Sequence, residues 1–354
     1  MTHPASAADV VHTVDPRIDE AWHTLAQRPG AGLFHSPPWL CAVSDAYGFD
    51  MRACVMLDRA GTPIAGVPYC ELDDLAGHRI VCVPFSDSCD PLFSSTEAWQ
   101  TMLSALQSRG LPVHLRCLFE QRVIADGAMT VAKRARWHRL ALTGSRDAIW
   151  QAVAPSTRRA IRRAEAAGVE VRPMAGDADR EAFHRMHVAL RKTKYRLLAQ
   201  PLRFFEAIEQ RFQAVDGWHS LAAWHEERMI AATVYLRWGD VLYYKFNTSA
   251  LDGLDVRPNN LLVWEGIKLA KALGCSALDL GPSDDDQPGL IRFKAGFGAE
   301  AFELRFLKWT PPGWQQDQSE TRKRFGEMTQ HFTAAAVPND ITARAGNLLY
   351  RFFA

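Results

Sequence analysis

Ala277-Leu-Asp-Leu-Gly281, Ser283-Asp-Asp-Asp286 and Leu290-Ile-Arg-Phe-Lys294-Ala-Gly-Phe-Gly298 make up the stretch whose reading decides the fold. An apolar run ending at a glycine reads as a buried strand, and the acidic turn after it leads to a segment carrying one lysine among aromatic residues. Phe293 and Phe297 shield Lys294 from water. An ammonium so placed meets phosphate or developing negative charge where the field is strong. The commoner fate of such a lysine is to cover apolar surface with its stem while its head stays wet.

Upstream, the periodicity predicts a helix over 258–273 feeding the strand 276–280, which can then run parallel to its predecessor, as a crossover requires. Before it lie strands at 220–225 and 229–238, turning on Glu226-Glu-Arg228, and another at 241–248. Helices at 156–167, 179–193 and 201–214 and a strand at 169–173 precede these. The first part of the chain gives a comparable order. Helices are predicted within 16–30, around 40–47 and near 98–108, with strands at 52–57, 64–72, 78–84, 113–117 and 137–141. A break falls at 143–155, and the tail from Trp314 reads as terminal helices. The class is α/β (α+β), with domains at 1–150 and 151–314 and a helical tail at 315–354.

Length and composition agree: 354 residues at 47% hydrophobic can bury a large core. Lysine and arginine total 41 against 40 acidic residues, so no global field draws the protein to DNA or to lipid, and a polyanion must be held by a local patch. The seven cysteines are scattered, lie mostly in apolar runs and include no CxxC pair, which predicts buried reduced thiols in the cytoplasm rather than zinc. Met1 to Glu20 has no apolar core of a signal peptide, and no run of ~18 apolar residues predicts a spanning helix.

Four arginines open the helix after Pro155. Arg158/Arg162 and Arg159/Arg163 are spaced four apart and form two adjacent ridges. Cations there oppose the helix dipole, so either an anionic ligand or a solvated face relieved by Glu165 and Glu170 accounts for them. Arg191-Lys-Thr-Lys-Tyr-Arg196 is a soluble helix end or a cationic loop whose Tyr195 can stack on a base or sugar. Asp279 and Asp284 to Asp286 suggest a hard cation, but capping by Ser283 or an adjacent Asp explains the cluster more simply. Asp87 and Asp90 suit an Asx turn before Pro91. His219 and His225 could accept a proton or serve structure alone, and Tyr244 should face opposite to Tyr243 and Lys245.

Arg257-Pro-Asn-Asn260, Leu261-Leu-Val-Trp264-Glu265-Gly-Ile267, Gly274, Asp279-Leu-Gly281 and Phe293-Lys294-Ala-Gly-Phe297-Gly298 together resemble the end of a Fem-type (FemAB-like) transferase. That family, named for enzymes that build peptidoglycan cross-bridges, has a tandem form of the GNAT acyltransferase fold. The resemblance runs over roughly residues 30 to 310. It implies two GNAT-like domains, the first degenerate, each a mostly antiparallel mixed sheet flanked by helices. It also implies N-acylation of an amine of a cell-envelope or polysaccharide-type precursor, with Lys294 stabilising the oxyanion, Phe293 beside it, and Asp87 as a base near the acceptor. Arg158, Arg159, Arg162, Tyr244, Asn259 and Trp39 complete the candidates for binding a small-molecule or nucleotide-linked substrate.

Aminoacyl-tRNA or acyl-CoA are the expected donors, with no metal. Against coenzyme A, the connection Asn247 to Asn259 has only Gly253 and carries Asp252 and Asp255, and Glu300 to Trp309 has no tyrosine acid. Against tRNA, no long helical arm interrupts the second domain. Alternatives are an acyl-CoA-dependent N-acetyltransferase of small molecules and a noncatalytic anion-binding module.

Overall fold

The computed structural model describes residues 10–75, 77–315 and 319–354. Residues 1–9 of the stretch Met1 to Glu20, in which no signal peptide is expected, and the Arg322 side chain lie outside the described set. The chain forms two compact units, residues 1–133 with 305–316 and residues 134–304 with 317–354. The division falls inside two strands, β7 (Thr130–Ala141) and β13 (Glu300–Trp309).

In the first unit the order is β1 (Val11–Val14), α1 (Glu20–Leu25), α2 (Pro37–Tyr47), β2 (Arg52–Leu57), β3 (Pro63–Asp74), β4 (Gly77–Val81), β5 (Leu92–Phe93), α3 (Thr96–Gln107), β6 (Val113–Cys117) and α4 (Gln121–Ala125). β1 to β4 form an antiparallel meander, and α3 is the crossover that lets β6 run parallel to β4. The end of β13 then pairs antiparallel with β6, Arg305 opposite Cys117 and Trp309 opposite Val113. Trp99, Met102, Leu103 and Leu106 of α3 pack on Val67, Tyr69, Val113 and Leu115 of this sheet. Ser95 caps α3 by accepting from the Ala98 amide at 3.2 Å.

The second unit continues with α5 (Arg146–Ala152), α6 (Pro155–Ala166), β8 (Glu170–Pro173), α7 (Gly176–Leu190), a π-turn at Arg191–Tyr195, α8 (Leu202–Gln213), β9 (Trp218–His225), β10 (Arg228–Trp238), β11 (Val241–Ser249), α9 (Pro258–Ala272), β12 (Ala277–Ser283) and α10 (Pro288–Ala295). β8 to β11 are antiparallel, α9 crosses over, β12 runs parallel to β11, and the second half of β7 pairs antiparallel with β12. The unit ends with α11 (Ser319–Phe332) and α12 (Asn339–Leu349). Leu262, Val263, Ile267 and Ala270 of α9 join Ile161 and Ala164 of α6 in the core. The β9–β10 turn places Glu226 and Glu227 at φ 49° and 61°, the pair of positive values that a tight hairpin needs.

Each unit is thus a meander, a helical crossover, a parallel strand and a final antiparallel strand, so the fold comprises two GNAT-like domains with mostly antiparallel mixed sheets. Two local expectations are corrected. The stretch 143–155 is not a plain break, because Ser145 caps α5 through the Ala148 amide at 3.1 Å. Ser283 and Asp284 to Asp286 do not cap α10, whose N-cap is Gln287 with no side-chain hydrogen bond. Pro288 has no amide to be capped, and Ser283 is drawn into β12.

Candidate functional site

The site is built where β11 and β12 part. These parallel strands pair only at Val241–Ala277, Leu242–Leu278 and Tyr243–Asp279, and both then run on, β11 to Ser249 and β12 to Ser283. A wedge between parallel strands leaves main-chain groups that another group must satisfy. At the mouth, β12 bulges between Asp279 and Gly281, with Gly281 at φ +68°. The Asp279 carboxylate fixes this kink: Oδ1 accepts from the Gly281 amide at 2.8 Å and Oδ2 from Trp137 Nε1 at 2.8 Å.

α10 brings Lys294 to the same point. Its ammonium is buried and donates to the carbonyls of Gly281 at 3.0 Å and Pro282 at 2.7 Å. Phe293 is half-buried and meets Phe297 edge-on at 5.3 Å, which anchors the helix end in the core. Gly296 allows α10 to touch α6: a Cβ there would lie 2.4 Å from Thr157 Oγ1, and the Gly296 carbonyl accepts from the Ala154 amide at 2.9 Å.

His138 of β7, opposite Gly281, was not singled out from the sequence. It is 1% exposed, and neither ring nitrogen has a partner among the described residues. Burial, followed by the nearby Lys294 and Arg136 charges, pushes its pKa down to about 4. Asn247 on β11 was likewise missed. Its amide donates to Thr233 Oγ1 at 2.9 Å and to Asn259 Oδ1 at 3.1 Å, tying the wedge to the first turn of α9. Tyr244, one residue past the last β11–β12 pair, meets Tyr235 edge-on at 5.8 Å, and burial raises its pKa. Tyr195 of the π-turn lies close enough to add to that rise.

Of the arginines, Arg158 is turned inward, donating to the Trp150 and Gln151 carbonyls at 3.3 and 3.2 Å, and Arg162 stands over the Trp150 ring at 5.7 Å. Arg159 and Arg163 are exposed. His225 donates to the Ala167 carbonyl at 3.1 Å, a structural role. The connection after β11 is a 3-10 turn, Leu251–Val256, with Gly253 packed on Ile230 and Arg257 at φ 60°.

Asp87 and Trp39 belong to the first unit. Asp87 is half-buried in the loop after β4, and Trp39 is fully buried with Nε1 donating to Ser86 Oγ at 2.8 Å. That loop closes on β6 through Cys82 amide to His114 carbonyl (3.0 Å) and Cys89 amide to Arg116 carbonyl (2.8 Å). Val83 and Phe85 within it sit at φ 54° and 59°, strained for side chains of their kind. Asp90 Oδ1 accepts from the amides of Leu118, Phe119 and Glu120 at 2.9 to 3.1 Å, while burial lifts its pKa to about 6.

A meander followed by a crossover helix and a parallel strand in each unit, with β11 and β12 parting beyond their three paired positions, is the decisive observation. The fold is tandem GNAT. The family model described as the acetyltransferase (GNAT) domain matches residues 153–295. Among solved structures, FemX superposes with a TM-score of 0.64 at 12% identity, covering 84% of this chain and 96% of that one. A tandem GNAT protein from the clavulanic acid biosynthesis pathway gives 0.54 at 11%, covering 86% and 100%. L-PGS from Bacillus licheniformis gives 0.55 at 10%, covering 89% and 98%. No curated protein matches. The Fem-like likeness therefore extends from the motifs of the second unit to the fold of both. Among the described residues no helix is long and apolar enough to cross a membrane, and no group of three or more His, Cys, Asp or Glu side chains is arranged to hold a metal.

Proposed function

We propose that the protein is an N-acyltransferase that moves an aminoacyl or acyl group from an activated donor to an amine of a cell-envelope or polysaccharide-type precursor, with chemistry in the second unit. The observation that carries this reading is the β11–β12 wedge with the Lys294 ammonium at its mouth. Acyl transfer needs the amine and the acyl carbon brought together, removal of a proton, and stabilisation of a tetrahedral oxyanion. Lys294 supplies a charge shielded from water, Tyr244 and Asn259 border the wedge, and Arg159 and Arg162 offer exposed guanidiniums to a phosphate-bearing partner. In the first unit, Asp87 is proposed as a carboxylate that binds the acceptor amine, and Trp39 acts by holding the loop that carries it.

Aminoacyl transfer is favoured over acetyl transfer by the connection after β11. A Gly-rich pyrophosphate loop leaves amides open to the ligand, whereas here the chain coils into a 3-10 turn bearing Asp252 and Asp255. The acetyltransferase description of the matching family model keeps coenzyme A as the second reading. Native mass spectrometry with coenzyme A thioesters, charged tRNA and nucleotide-sugar precursors separates the two, since retention and turnover of one donor class is expected. Retention of a phosphate ligand without acyl transfer from any donor would instead make the protein a noncatalytic anion-binding module.

A further inference from the structure

His138 is expensive where it stands. Two enclosed ring nitrogens without partners each carry an uncompensated desolvation penalty, and a phenylalanine or leucine would fill the same place without it. The register explains what the ring faces. His138 is opposite Gly281, whose missing side chain leaves room on that face, and Ser283 follows two residues along β12 on the same face. Ser283 Oγ is also buried and unpartnered, so the polar atoms left unsatisfied cluster beside the carbonyls that Lys294 holds.

We propose that His138, as a neutral imidazole, donates a hydrogen bond to the acyl carbonyl oxygen and shares the resulting oxyanion with Lys294. This rests on the acyl-transfer reading above and adds a catalytic residue to it. The amine nitrogen attacks the acyl carbon and a C–N bond forms while the carbonyl electron pair moves onto oxygen between the two donors. The pair returns as the C–O or C–S bond to the donor breaks, and the proton shed by the amine ends on the departing oxygen or sulfur. Held neutral by burial and by Lys294, the ring donates without changing charge, a use of histidine suited to a developing anion.

The test uses full-length protein with whichever of acetyl-coenzyme A or a charged tRNA the wild type turns over. His138→Phe is expected to raise Tm, because it removes two unsatisfied nitrogens, and to lower kcat ~10²-fold with KM little changed, the pattern of an interaction made only in the transition state. His138→Gln, which restores an N–H, is expected to recover about tenfold. Should His138→Phe fail to fold, His138→Leu carries the same comparison. Unchanged kcat in the apolar variant, or equal loss in the Gln and apolar variants, overturns the proposal for His138 alone. Absence of turnover by the wild type with every donor overturns the acyl-transfer reading and this proposal with it.

Discussion

Trp137 Nε1 donates to Asp279 Oδ2 at 2.8 Å, joining β7 to β12 at the bulge that opens the wedge. The same carboxylate accepts the Gly281 amide, so one buried side chain fixes both the bulge and its position against the neighbouring strand. Asp279→Ala leaves a buried indole N–H and the Gly281 amide unpaired. A loss of about 2–5 kcal/mol is expected in denaturant unfolding, whereas a change under ~0.5 kcal/mol would mean the bulge holds without it.

Lys294→Met removes the charge at the wedge mouth. On the proposed mechanism turnover falls ~10²-fold or more. It also strips the Gly281 and Pro282 carbonyls of a donor, so a stability loss of ~1–3 kcal/mol accompanies it. Unchanged turnover would remove the lysine from the mechanism.

Gly296→Ala brings a Cβ within 2.4 Å of Thr157 Oγ1, and overpacking of this kind costs about 1–3 kcal/mol. Adding Thr157→Ala should recover most of that loss in a double-mutant cycle. Strict additivity of the two changes would refute the contact.

Stability should fall in acid. His187 and His138 are buried with pKa values pushed down to about 3 and 4, below the 6.5 of the unfolded chain. Between pH 6.5 and those values the unfolded state binds more protons, so the native state is favoured fully above 6.5 and loses ground as pH drops. Melting temperature measured from pH 7.5 to 4.5 should decline, and less steeply in His138→Phe. Asp90, lifted to about 6, has the opposite sign over its own window from 3.8 to 6 and partly offsets the decline.

Arg158 and Arg159 separate structure from binding. Arg158→Gln loses the bonds to Trp150 and Gln151 and should lower stability by ~1 kcal/mol, whereas Arg159→Gln should leave stability within about 0.5 kcal/mol. On the proposed reading it weakens affinity for a phosphate-bearing ligand. Affinity insensitive to Arg159 would assign that arginine to the solvated face.

Elements with a strong period were legible in the sequence. The strand expected at 113–117 and the helix expected over 258–273 match β6 and α9. β7 starts at Thr130 rather than near 137 because Lys133, Arg134 and Arg136 are exposed and hide its period. The burial of Lys294 was indicated by its phenylalanine neighbours, but its carbonyl partners were not, because they depend on a bulge that only the β7–β12 register creates. His138 gave no signal for the same reason: a lone histidine in a strand acquires meaning only from what is opposite it.

The final strand of the first unit is made late. Residues 305–309 complete a sheet whose other members end at Cys117, so the growing chain must carry an unfinished edge along β6 while the intervening segments are synthesised. An unpaired edge of this kind invites strand addition from other chains, and such distant pairing slows folding. Cutting the gene near codon 150 would therefore yield two fragments that each lack a strand, and co-expression of both would be needed to recover soluble protein.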